Sequence, residues 1–100
     1  MERSTDTGGY IPISRHEATL RERKYEAMES VVLLVLPRHP PGLTHSELLE
    51  AILPLLPEDL WPDAEKAGWW ATTVRLDLEA RGLVQRTLSR PRRWHLGQPW

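Results

Sequence analysis

A chain of 100 residues and 11.6 kDa has room for one compact core and needs neither a metal nor a disulfide to hold it. It has no cysteine, which excludes disulfide frameworks and thiolate metal or redox sites and fits a reducing, cytoplasmic setting. The longest apolar run, Val31 to Leu36, falls far short of the roughly 20 residues that span a bilayer, and no signal-peptide core stands at the N-terminus, so no membrane role is expected.

The net charge of −1 hides a separation of sign: residues 41–80 carry Lys66 and Arg75 against eight acids, whereas residues 81–100 carry five arginines and no acid. Such a layout would draw a polyanion to one end or pair two copies head to tail.

Residues 1–13, with Gly8 and Gly9 ahead of Tyr10, Ile11 and Pro12, read as a loose arm, and residues 14–100 as a single domain. Ser14 and Glu17 stand at capping-box spacing, so a first helix is expected from there to Leu36, where Pro37 and the Pro40-Pro41-Gly42 segment stop it. Tyr25, Met28, Val31, Val32 and Val35 recur at helical spacing and predict its buried stripe. Thr44 and Glu47 form a second capping box; Leu48, Leu49, Ile52, Leu55 and Leu56 give the next helix an apolar face, and Pro54 should kink or end it.

The third helix is expected from near Pro62 or Asp63, with acids in its first turn, to just before Gly82. With successive residues about 100° apart, Ala67, Trp70, Ala71, Val74 and Leu78 make its core face. Trp69, Thr73, Leu76 and Ala80 form a separate stripe, leaving Gly68, Thr72, Arg75 and Glu79 the most exposed. Beyond Gly82, Leu83–Leu88 and Arg93–Leu96 are strand-like around a proline-bearing turn, with Trp94 and Leu96 on one face. Two strands alone are marginal, so they must lean on the helices, with a third short strand supplied by Gly42-Leu43 or by the Tyr10 arm. Helix, turn, aromatic-rich helix and basic hairpin is the order of parts in a winged helix-turn-helix, a mainly α fold with a small β-hairpin.

The run from Thr72 to Arg86, TTVRLDLEARGLVQR, resembles the end of the recognition helix and the start of the wing in winged-helix regulators of the multiple-antibiotic-resistance type. Val74, Leu78, Glu79, Gly82, Leu83 and Val84 carry that likeness. Over most of its length the chain also resembles a family of small uncharacterised bacterial proteins, through Lys24-Tyr25-Glu26-Ala27-Met28, Lys66-Ala67-Gly68-Trp69-Trp70, Leu76-Asp77-Leu78-Glu79-Ala80 and Arg93-Trp94-His95. The resemblances imply a mainly helical domain with a wing and no assigned activity.

Two functions compete. In the first, a regulator or accessory protein contacts double-stranded DNA through wing cations Arg86, Arg90, Arg92 and Arg93, with His95 beside them and Lys66 and Arg75 on the third helix. Against base reading, that helix carries Asp63, Glu65, Asp77 and Glu79, which repel phosphates over a screening length of about 10 Å at 0.1 M salt. In the second, Trp69 and Leu76, with the acidic middle region, dock a protein partner or a second copy in a homodimer. The plainer alternatives are that the arginines are ordinary surface charges and that Trp69 covers the junction between the third helix and the wing or the first helix. Trp70 is expected in the core, Trp61 as a hydrophobic staple for the third helix, and terminal Trp100 as frayed or docked on a neighbour.

No enzyme, metal or cofactor is expected. His16, His39, His45 and His95 lack metal-ligand spacing, Asp77 and Glu79 diverge on their helix, and no nucleophile cluster or phosphate-binding glycine loop can be placed. Glu79 is instead expected to pair with Arg75 at i,i+4 spacing.

Overall fold

The computed structural model describes residues 15–62 and 66–97. Three helices and one hairpin follow in order: α1 (Arg15–Val35), α2 (His45–Ile52), α3 (Ala67–Ala80), β1 (Val84–Arg86) and β2 (Trp94–Leu96). The chain is therefore mainly α with a small antiparallel β-hairpin. The Tyr10 arm, the Ser14 cap, Asp63, Glu65 and Trp100 lie outside the described residues.

Each boundary has a local cause. At the start of α2 the Thr44 hydroxyl accepts from the Glu47 N–H at 3.2 Å, and the Glu47 carboxylate accepts from the Thr44 N–H at 2.9 Å. This reciprocal capping box satisfies two donors that the first helical turn leaves open. Pro54 cannot extend the ladder, and Leu53–Leu55 tighten into a single 3₁₀ turn. At the end of α3, Gly82 takes φ +79°, its N–H reaches the Glu79 carbonyl at 3.0 Å, and the Leu83 N–H reaches the Leu78 carbonyl at 2.9 Å. These two bonds make a Schellman cap.

The core fills from all three helices and the hairpin. Met28, Val31, Val32 and Leu36 meet Leu48 and Ile52 from α2, Leu56, Leu60 and Trp61 from the loop, Ala67, Ala71, Val74 and Leu78 from α3, and Val84 and Trp94 from the strands. Tyr25, Val35 and Leu49 are half-buried at its margin, and Leu55 is exposed. Trp70, expected inside, is also only half-buried, because the core place beside it is taken by Trp61, whose ring stands edge-on to Trp70 at 6.2 Å. Trp61 is thus buried in the core and packs against Trp70 in the first turn of α3.

The hairpin gains its third member from Leu43. Trp94 pairs with Arg86 on one side, and on the other Leu43 and Trp94 exchange both backbone hydrogen bonds, at 2.9 and 2.8 Å. The Leu96 N–H reaches the Pro37 carbonyl at 2.8 Å, fixing the strand to the end of α1. The strands are shorter than their sequence suggests, and beyond them the Thr87 N–H bonds the Arg93 carbonyl at 2.8 Å at the mouth of the turn.

Gly42 makes the Leu43 bridge possible. It has φ +81°, and a Cβ there would stand 2.4 Å from the Trp94 carbonyl oxygen. Gly42→Ala is therefore expected to cost about 2 kcal/mol or more, combining backbone strain with a backbone clash. Gly68→Ala, whose added Cβ meets only Leu49 Cδ1 at 3.9 Å, is expected to gain up to about 1 kcal/mol of helix propensity. Urea denaturation of the two variants checks this; equal losses would contradict it.

Candidate functional site

The polar centre of the molecule is built around Glu79 on α3. Its Oε2 accepts from Arg75 Nη1 at 2.9 Å and from Trp94 Nε1 at 3.2 Å, and its Oε1 lies 3.8 Å from Arg86 Nε. The Arg75 guanidinium lies over the Trp94 ring, 3.8 Å from its centroid, in cation–π contact. Arg75 is only 7% exposed. Burial pulls its pKa below the ordinary arginine value while Glu79 holds it up, and its Nε has no hydrogen-bond partner among the described residues. Nearby, burial first and the Arg75 charge second push His45 below its usual pKa.

A second network ties α1 to the end of α3. Arg81 Nη1 donates to Glu29 Oε2 at 2.9 Å, to Asp77 Oδ2 at 3.2 Å and to the Tyr25 hydroxyl at 3.3 Å. The Tyr25 hydroxyl donates to Asp77. That bond raises the Tyr25 pKa and, with Arg81, lowers that of Asp77. At the hairpin, Arg93 Nη1 reaches the Glu47 carboxylate at 3.1 Å and the Gly42 carbonyl at 3.2 Å. Glu47 is held below the usual carboxylate range, chiefly by the Thr44 N–H and then by Arg93.

These contacts alter the charge picture drawn from sequence. Arg81, Arg86 and Arg93, three of the five tail arginines, lie against Glu29, Asp77, Glu79 and Glu47 of the same chain. The separation of sign along the sequence closes largely within the fold. Arg90 and Arg92 remain exposed in the hairpin turn with no ion pair among the described residues.

The six cations proposed for DNA therefore do not form one surface. Arg75, expected on the most exposed face of α3 with Gly68, Thr72 and Glu79, is instead buried, and those three are half-buried. The hairpin packs over Arg75 and Glu79, while Gly68 faces Leu49 of α2. His95 is likewise buried, and its Nδ1 donates to the Leu96 carbonyl at 2.8 Å instead of standing among the wing cations. Lys66 is exposed but lines a groove against α1.

What faces solvent on α3 is the stripe Trp69, Thr73, Leu76 and Ala80. Trp69 is 65% exposed and Leu76 is 53% exposed. Trp69 stands edge-on to Trp70 at 5.4 Å, so a run of aromatic rings leads from buried Trp61 to the surface. Sequence reasoning did not find the Tyr25–Asp77–Arg81–Glu29 network. Asp77 and Arg81 at i,i+4 were its only local signal; the partners on α1 lie 52 and 56 residues away in sequence.

Glu79→Gln is expected to destabilise the fold by about 2–4 kcal/mol, because it leaves the Arg75 guanidinium buried without its counter-charge. Arg75→Met in that background is expected to recover much of the loss, since an apolar chain of similar length removes the charge altogether. Chemical denaturation of the single and double variants measures both steps; a Glu79→Gln loss under about 0.5 kcal/mol would make the pair no better than an exposed one.

Among the described residues no group of three or more histidine, aspartate or glutamate side chains is placed to hold a metal ion, and no helix is long and apolar enough to cross a membrane. No curated protein and no solved structure matches the chain. Residues 11–94 match DUF6958, a family of unknown function, and the chain belongs to that family.

Proposed function

We propose that this chain is a non-enzymatic, cytoplasmic docking module of winged-helix type that binds a protein partner through the exposed face of α3. The winged-helix assignment is supported by the order α1, Leu43 bridge, α2, α3 and hairpin, with the bridge pairing to the last strand. The docking reading rests on one observation: the helix that would enter a DNA groove turns its arginine inward and presents Trp69 and Leu76 outward. Such a face offers few hydrogen-bonding groups to base edges but matches the large apolar anchors of protein interfaces.

A photo-crosslinking residue at position 76, introduced in cells, is expected to give a discrete adduct that Trp69→Ala abolishes. The same residue at position 26, on the exposed side of α1, is the control. No adduct at 76, or the same adduct at 26, would contradict the proposal.

A second reading is favoured by Arg90 and Arg92, which flank Pro91 beside Leu88, a residue 93% exposed. In this reading the wing tip touches the phosphates of double-stranded DNA. With Arg86 and Arg93 engaged by Glu79 and Glu47, two contacts remain, and binding to random duplex DNA is expected to weaken with salt at a log–log slope of about −2. A slope near zero, or one unchanged in the Arg90→Ala/Arg92→Ala variant, would exclude the wing tip.

A further inference from the structure

Beside Trp69 the surfaces of α1 and α3 part into an open groove of about 820 Å³. Its apolar lining comes from Leu20, Trp69 and Trp70. Arg21, Lys24 and Lys66 surround this lining, and Glu17 is the one acid among the residues that line the groove. The walls are held before any partner arrives. Trp70 is braced edge-on by Trp61, Trp69 is braced by Trp70, and the Lys24 ammonium lies 5.8 Å from the centre of the Trp61 ring. A site already in shape loses less entropy on binding.

From the groove the apolar surface continues along α3 through Thr73 to Leu76, about 10 Å at 1.5 Å per residue. The cations lie at one end of this strip. At the other end Asp77 is bound up with Arg81 and Tyr25, so no unpaired positive charge is offered there. An occupant must then carry a continuous apolar edge with negative charge concentrated at one end. A nucleic-acid strand has the opposite pattern, with charge at every step along its length, and would run from the cations toward Asp77.

We infer that the groove and strip take an amphipathic helix of a partner protein, its apolar face laid over Trp69 and Leu76 and acidic side chains at one end paired with Arg21, Lys24 and Lys66. This is the helix-in-groove mode of recognition, in which apolar anchors recur at i, i+3, i+4 and i+7. The inference rests on the protein-docking reading and adds to it the charge and the direction of the partner.

The test uses the full chain and two synthetic helical peptides with the same leucine face. One carries glutamates at one end, and the other carries lysines at the same positions. Binding is followed through the indole N–H resonance of Trp69, with single-stranded oligothymidine as a competitor. The glutamate peptide is expected to shift that resonance and to bind at least tenfold more tightly than the lysine peptide. Reversing charge in the Lys24→Glu/Lys66→Glu variant should remove the preference. Equal binding of both peptides would overturn the acidic assignment while leaving an apolar docking face. Absence of any Trp69 shift with either peptide would overturn the inference, and the crosslink at position 76 would then judge docking separately. Stronger binding of oligothymidine at Trp69 would overturn it in favour of nucleic acid.

Discussion

A guanidinium taken out of water must recover most of its hydration, and the way Arg75 does so organises this small domain. Glu79, one helical turn on, supplies the counter-charge, and the Trp94 ring supplies a π face and an indole N–H that joins the same carboxylate oxygen. Arginine suits the place because its planar, weakly hydrated head both stacks and donates. Trp94 is at once the residue that pairs with Leu43 and Arg86 in the sheet, so the ion pair, the ring and the strand register fix one another. His45 belongs to the same environment: burial, and then the Arg75 charge, push its pKa below the usual value.

That centre sets the rotation of α3. With Ala67, Ala71, Val74 and Leu78 in the core and Arg75 and Glu79 under the hairpin, Trp69, Thr73, Leu76 and Ala80 are left outside. The helix is thereby short of cations on its outer face and rich in apolar area. Two further arginines of the basic tail lie against acids of the same chain, Arg93 on Glu47 and Arg81 on Asp77 and on Glu29 of α1. They are partly exposed pairs and contribute little each to stability. Their larger effect is on the outside field, because with Arg86 on Glu79 they take three of the tail's charges up within the fold and leave Arg90 and Arg92 at the hairpin tip.

Much of the fold was legible because its signals are local. The Thr44–Glu47 capping box, the stop at Pro54, the glycine cap at Gly82 and the core stripe Ala67, Ala71, Val74 and Leu78 each depend on residues within a few positions of one another. The Arg75–Glu79 pair was also within reach, though as an exposed pair, because helical spacing gives the contact and not its burial. The inward turn of Arg75 and His95, the half-burial of Trp70 and the Arg81 network all depend on elements that meet over long sequence separations. A helical projection of α3 alone has two flanks that look alike. Only the docked hairpin decides which one is covered, and it is the flank with Arg75 and Glu79, so the flank with Trp69 and Leu76 is left to solvent.

The stacking of Arg75 on Trp94 can be measured directly through the side-chain Nε–H and Hδ resonances of Arg75 in a ¹⁵N-labelled sample. A guanidinium 3.8 Å from the indole centroid should show strong upfield ring-current shifts, contacts to the Trp94 ring protons and slow exchange of its Nε–H with water. Random-coil shifts with rapid exchange would place Arg75 in solvent, on the exposed face of α3 where its sequence alone puts it.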